Sequence, residues 1–389
     1  MIKSFKYRIY PTRKQEQILN NTLTTCRYLY NNALEQRITE YKVHNKSLSY
    51  VDQAKQLTQT KNEYQKQVHS QVLQSTLKRL DTSFQNFFRR VKAHKNPGFP
   101  RFKSFRRYNS FYYPQLGFRL TNDCKRIELS KIGTIKLKYS RLLPGSPKTC
   151  IVIRDIDQWF VVLTCNVDIS NIPQSTNPPV GIDLGILSLI ASSDGNLVEN
   201  PRHLKKSETK LRNQQVRLSR GCLGSYNRNK QRIRVAKVHR KIKRQRMDFL
   251  HKLSRKLSKN YSVIVFEKLN IQNMLKNHKL AKHIADASWN KLVELTKYKA
   301  EEAGAIVDSV DPRGTSQTCP RCGAIAVKTL DQRSHICPCG LEEDRDIVSG
   351  VVVLGRSSRA GQARIQAFGE CVSPSQTRLR SMKKESTGP

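Results

Sequence analysis

Apolar and polar residues alternate at the start of the chain and then change to a helical period. Phe5, Tyr7 and Ile9 alternate with basic or polar neighbours, which predicts a half-buried strand. The segment from Thr12 to Gln15 has the form of a capping box, and apolar residues then recur at steps of four and three. This pattern predicts an amphipathic helix along Leu19, Leu23, Cys26, Tyr30 and Ala33. A second such helix is predicted along Leu73, Leu77, Leu80, Phe84, Phe87 and Val91.

Short strands follow between about residues 116 and 168. They are marked by apolar pairs that alternate with polar residues, namely Ile127 and Leu129, Ile135 and Leu137, and Ile151 and Ile153. Because the first strand is isolated at the amino terminus, we expect it to pair with these later strands, which makes the helices near 12–93 an insertion. The Pro and Asn content of residues 171–179 predicts a linker.

The second half of the chain opens with apolar strands and continues with basic helices. A strand over 180–185 and an apolar run over 187–191 end at the turn Asp194-Gly195, which predicts a hairpin. The basic stretch over 208–257 has helical periodicity with an interruption at 221–224, which predicts two helices. A short buried strand over 261–267 and a helix over 288–304 follow. We therefore expect an α/β protein with more than one domain.

The charge balance indicates the class of partner. The chain has 71 Lys and Arg against 30 Asp and Glu, a formal net charge of +41, whereas small soluble domains carry about 2–8. Such a chain repels itself unless a polyanion accompanies it, so we expect nucleic acid as the partner. The amino terminus lacks the apolar run of a signal peptide, and no stretch approaches the roughly 20 apolar residues of a membrane span. We expect a protein of the cytoplasm with no membrane role.

A loop between the two parts of the first half interleaves aromatic residues with cations over residues 95–108. This composition suits single-stranded nucleic acid, with rings stacked on bases and cations on phosphates. A loop packed on the protein is the alternative. The candidate phosphate contacts are Arg101, Lys103, Arg106 and Arg107.

Three acidic residues lie where burial of a charge needs compensation. Asp183 interrupts an apolar strand, Glu267 ends another, and Asp346 directly precedes an apolar run over 347–354. Taken singly, a strand-end carboxylate is more often a surface or ion-paired residue than a ligand. Two carboxylates on adjacent strands and a third at a helix start form the metal cradle of the RNase H-like fold, in which oxygen ligands hold two divalent ions about 4 Å apart. Asp344 competes with Asp346 for the third position.

Four of the ten cysteines form two knuckles, each closed by a glycine. They are Cys319, Cys322, Cys337 and Cys339, and their spacing predicts a zinc ribbon. Four thiolates leave no coordination position for water, so the zinc is structural. His335 is an alternative ligand, because the second knuckle has one intervening residue where two are usual.

Several motifs together resemble the TnpB family of transposon-encoded, RNA-guided nucleases, which are related to the type V CRISPR effectors. The motifs are Gly181-Ile-Asp-Leu-Gly185, Phe266-Glu-Lys-Leu-Asn270, 280–289, Ser316-Gln-Thr-Cys-Pro-Arg-Cys-Gly323, Asp344-Arg-Asp346 and, in the first half, 98–103. The resemblance covers about residues 1–354. After Asp346 the family usually has a polar and small run containing asparagines, whereas this chain has an apolar one, which predicts weaker support of the metal ligands.

The resemblance implies a fold, an activity and partners. It implies a wedge β-barrel (1–11 and 94–178) with a helical recognition insertion (12–93), then an RNase H-like RuvC nuclease domain (179–310 and 344–354) interrupted by a zinc-ribbon insertion that binds target nucleic acid (311–343). Outside the resemblance, the Ser, Gly and Arg content of residues 355–389 predicts a flexible basic tail. Asp183, Glu267 and Asp346 would be catalytic, with Mg²⁺ as the expected metal, and the four cysteines would hold Zn²⁺. Arg345 would lie beside the scissile phosphate. One protein would bind one transposon-encoded guide RNA and cut both strands of target DNA next to a short transposon-adjacent motif.

Three other functions fit part of the sequence. An RNA-guided DNA-binding regulator with weak or no cleavage fits everything except the retention of three carboxylates. A transposase also uses RNase H-like carboxylates, but we find no separate domain for binding transposon ends. A structural RNA-binding protein accounts for the charge and the zinc ribbon and leaves Asp183 and Glu267 unexplained.

Overall fold

The computed structural model describes residues 1–168, 172–329 and 332–360. The chain divides into two compact units, with the division after Asp168. None of the helices in these described ranges has the length and apolar character needed to cross a membrane.

The first unit joins a seven-stranded sheet to a group of helices. Its elements are β1 (Ile2–Tyr10), α1 (Arg13–His44), α2 (Tyr50–Gln59), α3 (Glu63–Lys66), α4 (Ser70–Lys92), β2 (Ser110–Tyr113), β3 (Phe118–Leu120), β4 (Arg126–Leu129), β5 (Gly133–Lys138), β6 (Thr149–Asp155) and β7 (Gln158–Asn166). Strand β1 pairs antiparallel with β5 and with β7. The prediction that the first strand pairs with later ones around a helical insertion is confirmed.

The sheet of the first unit curls on itself. Its strand order is β2-β6-β7-β1-β5-β4-β3, so consecutive strands β2 and β3 lie at opposite ends of the order. In a flat sheet these ends would be about 29 Å apart at about 4.8 Å per strand. The chain from Tyr113 to Phe118 can span only about 17 Å, and the rings of these two residues are 6.4 Å apart.

The sequence patterns of the first unit predict most of its buried residues. Thr12 and Gln15 form the predicted capping box at the start of α1, and Phe5, Tyr7 and Ile9 are buried in the core. On β6 the buried residues are Cys150 and Val152, whereas the predicted pair Ile151 and Ile153 is only half-buried. Four apolar residues in succession do not reveal which face of a strand points inward. On α4 the buried apolar face ends near Leu80, and Val91 is exposed.

The second unit contains a mixed five-stranded sheet with helices. Its elements are β8 (Val180–Asp183), β9 (Ser188–Ser192), β10 (Leu197–Glu199), α5 (His203–Ser219), α6 (Tyr226–Asn260), β11 (Val263–Glu267), α7 (Ile271–Met274), α8 (His278–Ala287), α9 (Trp289–Glu301), β12 (Ile306–Val310), β13 (Ser334–Ile336), β14 (Glu342–Asp344) and α10 (Arg345–Gly355). The predicted hairpin, the two basic helices and the following strand and helix are confirmed.

The second unit has the strand order β10-β9-β8-β11-β12. Strands β8, β11 and β12 run parallel, and β9 and β10 extend the sheet antiparallel on the β8 side. Parallel neighbours end at the same edge of the sheet, so the last residues of β8 and β11 lie side by side.

Two predicted flexible segments are packed in part. In the predicted linker, Ser175 N–H donates to Gly304 O at 2.9 Å and Asn177 Nδ2 donates to Lys259 O at 2.8 Å. In the predicted tail, Ser357 is buried and donates to Asp308 Oδ2 at 2.6 Å. Composition indicated flexibility at both places, but hydrogen bonds to the second unit hold these residues. The rest of the predicted tail, 361–389, lies outside the described residues.

Candidate functional site

Two acidic residues end neighbouring parallel strands. Asp183 is the last residue of β8 and Glu267 the last of β11, and the register pairs Phe266 with Ile182. The next residue along each strand is therefore the acid. The sheet thus brings Asp183 and Glu267 together, as expected for the metal cradle.

Helix α10 carries the third acid, and Asp344 and Asp346 have different roles at its start. The Asp344 carboxylate accepts from Asp346 N–H at 2.8 Å and from Ile347 N–H at 3.3 Å. Asp344 is therefore the N-cap of α10. Asp346 lies in the first turn, close enough to raise the pKa of Asp183.

Two glycines allow α10 to lie directly on the sheet. A Cβ on Gly181 would lie 2.0 Å from Gly350 O and 2.6 Å from Leu354 N. Such distances exclude any side chain at position 181. The close approach of the backbones fixes the middle and the last turn of α10 against β8.

The three acids share a poorly solvated environment. Burial, then the charge of Glu267, then the charge of Asp346 raise the pKa of Asp183 to about 8. Burial also raises the pKa of Glu267, although hydrogen bonding from Thr315 and the charge of Arg356 oppose this. With a pKa of about 8, the Asp183 carboxylate retains its proton at neutral pH unless a cation compensates the charge.

The three acids are less closely grouped than the four cysteines. In the described part of the chain, the four cysteines are the group whose ligand atoms all lie within 4.8 Å of one another, and the three acids do not form so compact a set. A site for two ions about 4 Å apart spans more than this distance. The hard oxygen donors and the raised pKa values fit divalent ions of the magnesium class.

Cationic side chains contact the outermost acid. Arg345 Nη2 lies 3.3 Å from Asp346 Oδ1, and Arg333 Nη1 lies 3.7 Å from Asp346 Oδ2. Arg345 Nη1 also donates to Gln332 O at 3.0 Å. The predicted phosphate contact Arg345 therefore lies at the acid cluster.

The cysteine cluster has the dimensions of a zinc site. The Sγ atoms of Cys319 and Cys339 are 3.6 Å apart, and those of Cys322 and Cys337 are 3.5 Å apart. Sulfurs at about 2.3 Å around a tetrahedral Zn²⁺ are about 3.8 Å apart, so the residues fit this ion. Each knuckle ends in a glycine with positive φ, 75° at Gly323 and 82° at Gly340.

His335 lies outside this cysteine group. It is fully buried on β13, and its Nδ1 contacts Lys328 Nζ. The four cysteines meet without it, so the alternative of a histidine ligand has no support in the structure.

The apolar run after Asp346 contains the small residues that the contact with the sheet needs. Ser349 is buried and close enough to Glu267 to lower its pKa, and a Cβ on Gly350 would lie 3.0 Å from Ser193 N. This run was expected to support the metal ligands weakly. The Ser349 hydroxyl lies near Glu267 but makes no hydrogen bond in the described structure, so weak support stays a prediction.

The aromatic and basic loop of the first unit is partly packed. Asn31 on α1 accepts from Lys103 N–H at 2.8 Å and donates to Lys103 O at 3.0 Å. The rings of Phe99, Phe102 and Phe105 are about half exposed, whereas Tyr108 is buried. Arg101, Arg106 and Arg107 are exposed and Lys103 is half-buried. The main chain is anchored and Arg101, Arg106 and Arg107 are exposed, whereas the Lys103 ammonium lies over the Tyr30 ring.

The sequence analysis missed residues that support the acids. Thr315 Oγ1 donates to Glu267 Oε1 at 2.5 Å, and Arg356 and Arg333 place positive charge nearby. Thr315 belongs to a polar turn whose composition is typical of any loop. The only signal that could have found it is its position between the end of β12 and the first cysteine.

Full-length relatives identify the family. A protein of Streptomyces pristinaespiralis named as a candidate RNA-guided DNA endonuclease is 36% identical over 98% of this chain and 96% of its own length. A protein of Escherichia coli K12 with the same kind of name is 31% identical over 99% of this chain and 98% of its own. The chain belongs to the TnpB family. The resemblance found from the motifs is confirmed.

Family models and a solved structure agree with this membership. The TnpB chain matches the model described as "Probable transposase" over residues 163–286, "Cas12f1-like, TNB domain" over 289–353 and "Helix-turn-helix domain" over 1–46. In the last range the structure has the strand β1 and the single long helix α1. A Cas12f1 chain solved with guide RNA and target DNA has the same fold, with a TM-score of 0.58 at 12% identity over 91% of this chain and 98% of that one.

Proposed function

We propose that this TnpB protein is an RNA-guided DNA endonuclease of an insertion-sequence transposon. It cleaves DNA next to a short transposon-adjacent motif by divalent-metal-dependent hydrolysis of phosphodiester bonds. The observation that carries the proposal is the cluster of Asp183, Glu267 and Asp346 at the ends of β8 and β11 and the start of α10, where burial and then mutual repulsion raise the pKa of Asp183 to about 8. Such a cluster lowers stability unless cations occupy it, so its presence supports an ion-binding role.

The acids hold the ions and the cations nearby meet the substrate. In this proposal Asp183, Glu267 and Asp346 bind two Mg²⁺ ions. When bound, these ions supply the positive charge that activates water and stabilises the leaving oxygen. Arg345 exchanges its contact with Asp346 for one with the scissile phosphate, which suits a guanidinium and an anionic oxygen.

The remaining parts of the chain serve guide and target. We assign 179–310 and 344–354 to a RuvC nuclease domain and 311–343 to a zinc-ribbon insertion that binds target nucleic acid. Residues 1–11 and 94–178 form a wedge module around the recognition helices of 12–93. One protein binds one guide RNA, base pairing supplies sequence selection, and the charge of +41 is compensated by nucleic acid. The protein acts in the cytoplasm.

The test uses the protein with its own RNA. The full chain is expressed together with its transposon, the bound RNA is sequenced, and the purified complex is given plasmids that carry a matching target beside randomised flanking sequence. We expect metal-dependent linear product from a subset of flanks. The Asp183→Ala variant should keep target binding and lose cleavage.

Other outcomes identify the rival functions. Target binding without cleavage in the unmodified protein supports an RNA-guided regulator. Joined products with transposon ends in the absence of guide support a transposase. Either result contradicts the endonuclease proposal.

A further inference from the structure

Thr315 makes a close contact with one of the three acids. It is 4% exposed, and its Oγ1 donates to Glu267 Oε1 at 2.5 Å. Pro312 O lies farther from the same hydroxyl, at 3.0 Å. A hydroxyl has one proton, and the charged, nearer acceptor makes the stronger bond. Thr315 therefore restrains one carboxylate oxygen of Glu267 and sets the orientation of the other.

The turn that carries Thr315 leads directly into the first zinc knuckle. Thr318 N–H and Thr318 Oγ1 donate to Gly314 O at 3.0 and 2.8 Å, which closes the turn that carries Thr315. Directly after it, Cys319 N–H donates to Ala324 O at 2.9 Å. Gly314 has a φ of 70°, so this turn favours glycine. Turn and knuckle form one hydrogen-bonded structure.

The other end of the turn is fixed to helix α10. Arg356 Nη1 donates to Asp311 O at 2.8 Å and to Arg313 O at 2.6 Å. Thr315 is thus held between the knuckle and the helix that carries Asp346. A hydroxyl held from both sides loses little additional freedom when it orients a carboxylate.

We infer that Thr315 is a positioning residue for Glu267, and that the zinc ribbon, by placing Thr315, increases the affinity of the three-acid site for divalent ions. This inference rests on the proposed function. It gives the ribbon a second role, in support of the ion site, besides contact with nucleic acid. Partners that orient metal ligands typically contribute 10- to 100-fold in ion affinity.

The matched variants are Thr315→Val and Thr315→Ser. Valine keeps the shape of threonine and removes the hydroxyl, whereas serine keeps the hydroxyl. Mn²⁺ binding to the full chain with its co-purified RNA is followed by electron paramagnetic resonance. A variant without the carboxylates of Asp183, Glu267 and Asp346 gives the background from the RNA. Zinc content and melting temperature are measured on every sample.

We expect the Thr315→Val variant to bind Mn²⁺ at least about 10-fold more weakly, with unchanged zinc content, and the Thr315→Ser variant to bind within about 3-fold of the unmodified protein. Unchanged affinity in Thr315→Val, while the carboxylate variant loses binding, overturns this inference alone. If the unmodified protein binds no more Mn²⁺ than the carboxylate variant, the proposed function and this inference both fail.

Discussion

Removing the charge of Asp183 should stabilise the ion-free protein while it abolishes cleavage. The Asp183 pKa is raised to about 8, chiefly by burial and then by Glu267 and Asp346, whereas an unfolded aspartate titrates near 3.9. Between these two values the native state binds more protons than the unfolded state. Stability therefore falls as the pH rises from about 4 to about 8 and is level above that.

The size of the effect follows from the same two values. At pH 7 the difference between the two pKa values lowers the free energy of unfolding by about 4 kcal/mol, and an uncharged residue at position 183 would recover this amount. In the Asp183→Asn variant the new amide is nearly isosteric with the carboxylate, and its oxygen can still accept from Leu184 N–H. This variant should therefore recover at least about 2 kcal/mol at pH 7. Near pH 4 the two proteins should be equally stable.

Tryptophan fluorescence gives a local assay. The chain has two tryptophans, Trp159 in the first unit and Trp289 in the second. In a Trp159→Phe background the remaining indole donates to Gly185 O at 3.2 Å, next to the acid cluster. Urea unfolding is followed at pH 4 to 9 in buffer freed of divalent ions by a chelating resin, with zinc content checked. Addition of Mg²⁺ should stabilise the protein with Asp183 and not the Asp183→Asn variant.

One result would contradict this prediction. If the Asp183→Asn variant is no more stable than its parent at pH 7 to 8 without divalent ions, neither burial nor repulsion by Glu267 and Asp346 raises the pKa of Asp183 in the native protein. The case for an ion site at the end of β8 and β11 would then lose its electrostatic basis.

Three further predictions concern packing, zinc and the basic loop. The Gly350→Ala variant places a Cβ 3.0 Å from Ser193 N and should destabilise the protein by about 1–3 kcal/mol in the same urea unfolding assay. The control is Gly355→Ala in the same helix. Its Cβ meets nothing within 4 Å, so this variant should be as stable as the parent or more stable. Atomic absorption should find one zinc ion per chain. The Cys322→Ser variant should have a lower zinc content and a lower affinity for Mn²⁺. Full zinc content in that variant would contradict the assignment of Cys322 as a ligand. A variant with Arg101→Ala and Lys103→Ala should bind single-stranded RNA more weakly. The slope of the logarithm of its binding constant against the logarithm of the salt concentration should become shallower by up to about 1.4. An unchanged slope would exclude phosphate contacts by both residues.

The sequence predicts those parts of the site that have local signals. Asp183 and Glu267 are recognisable in combination, because two apolar strands carry acids and a third acid precedes an apolar run. The cysteines are recognisable because their spacing is that of zinc knuckles. The pairing of β1 with later strands follows because an isolated strand needs a partner. These inferences need no knowledge of which distant residues meet.

The contacts that Thr315 and the two glycines make with distant segments were not predictable. Nothing in the turn around Thr315 distinguishes it from other polar turns, because its role depends on β11 and β12 ending together. Gly181 and Gly350 are visible as glycines, but only the structure shows that they face each other. The position of Ser349 near Glu267 likewise depends on how α10 packs on the sheet and has no local signal in the sequence.

The place of the zinc ribbon in the chain connects it to two of the three acids. The first knuckle follows the turn of Thr315, which contacts Glu267. The second knuckle forms the end of the β13–β14 hairpin, in which Ser334 pairs with Asp344, and Asp344 is the N-cap that starts α10 two residues before Asp346. A zinc ion that closes both knuckles therefore fixes the approach of the chain to Glu267 on one side and to Asp346 on the other. A ribbon that only contacted nucleic acid could be inserted in any surface loop, whereas support of the ion site requires an insertion between β12 and α10.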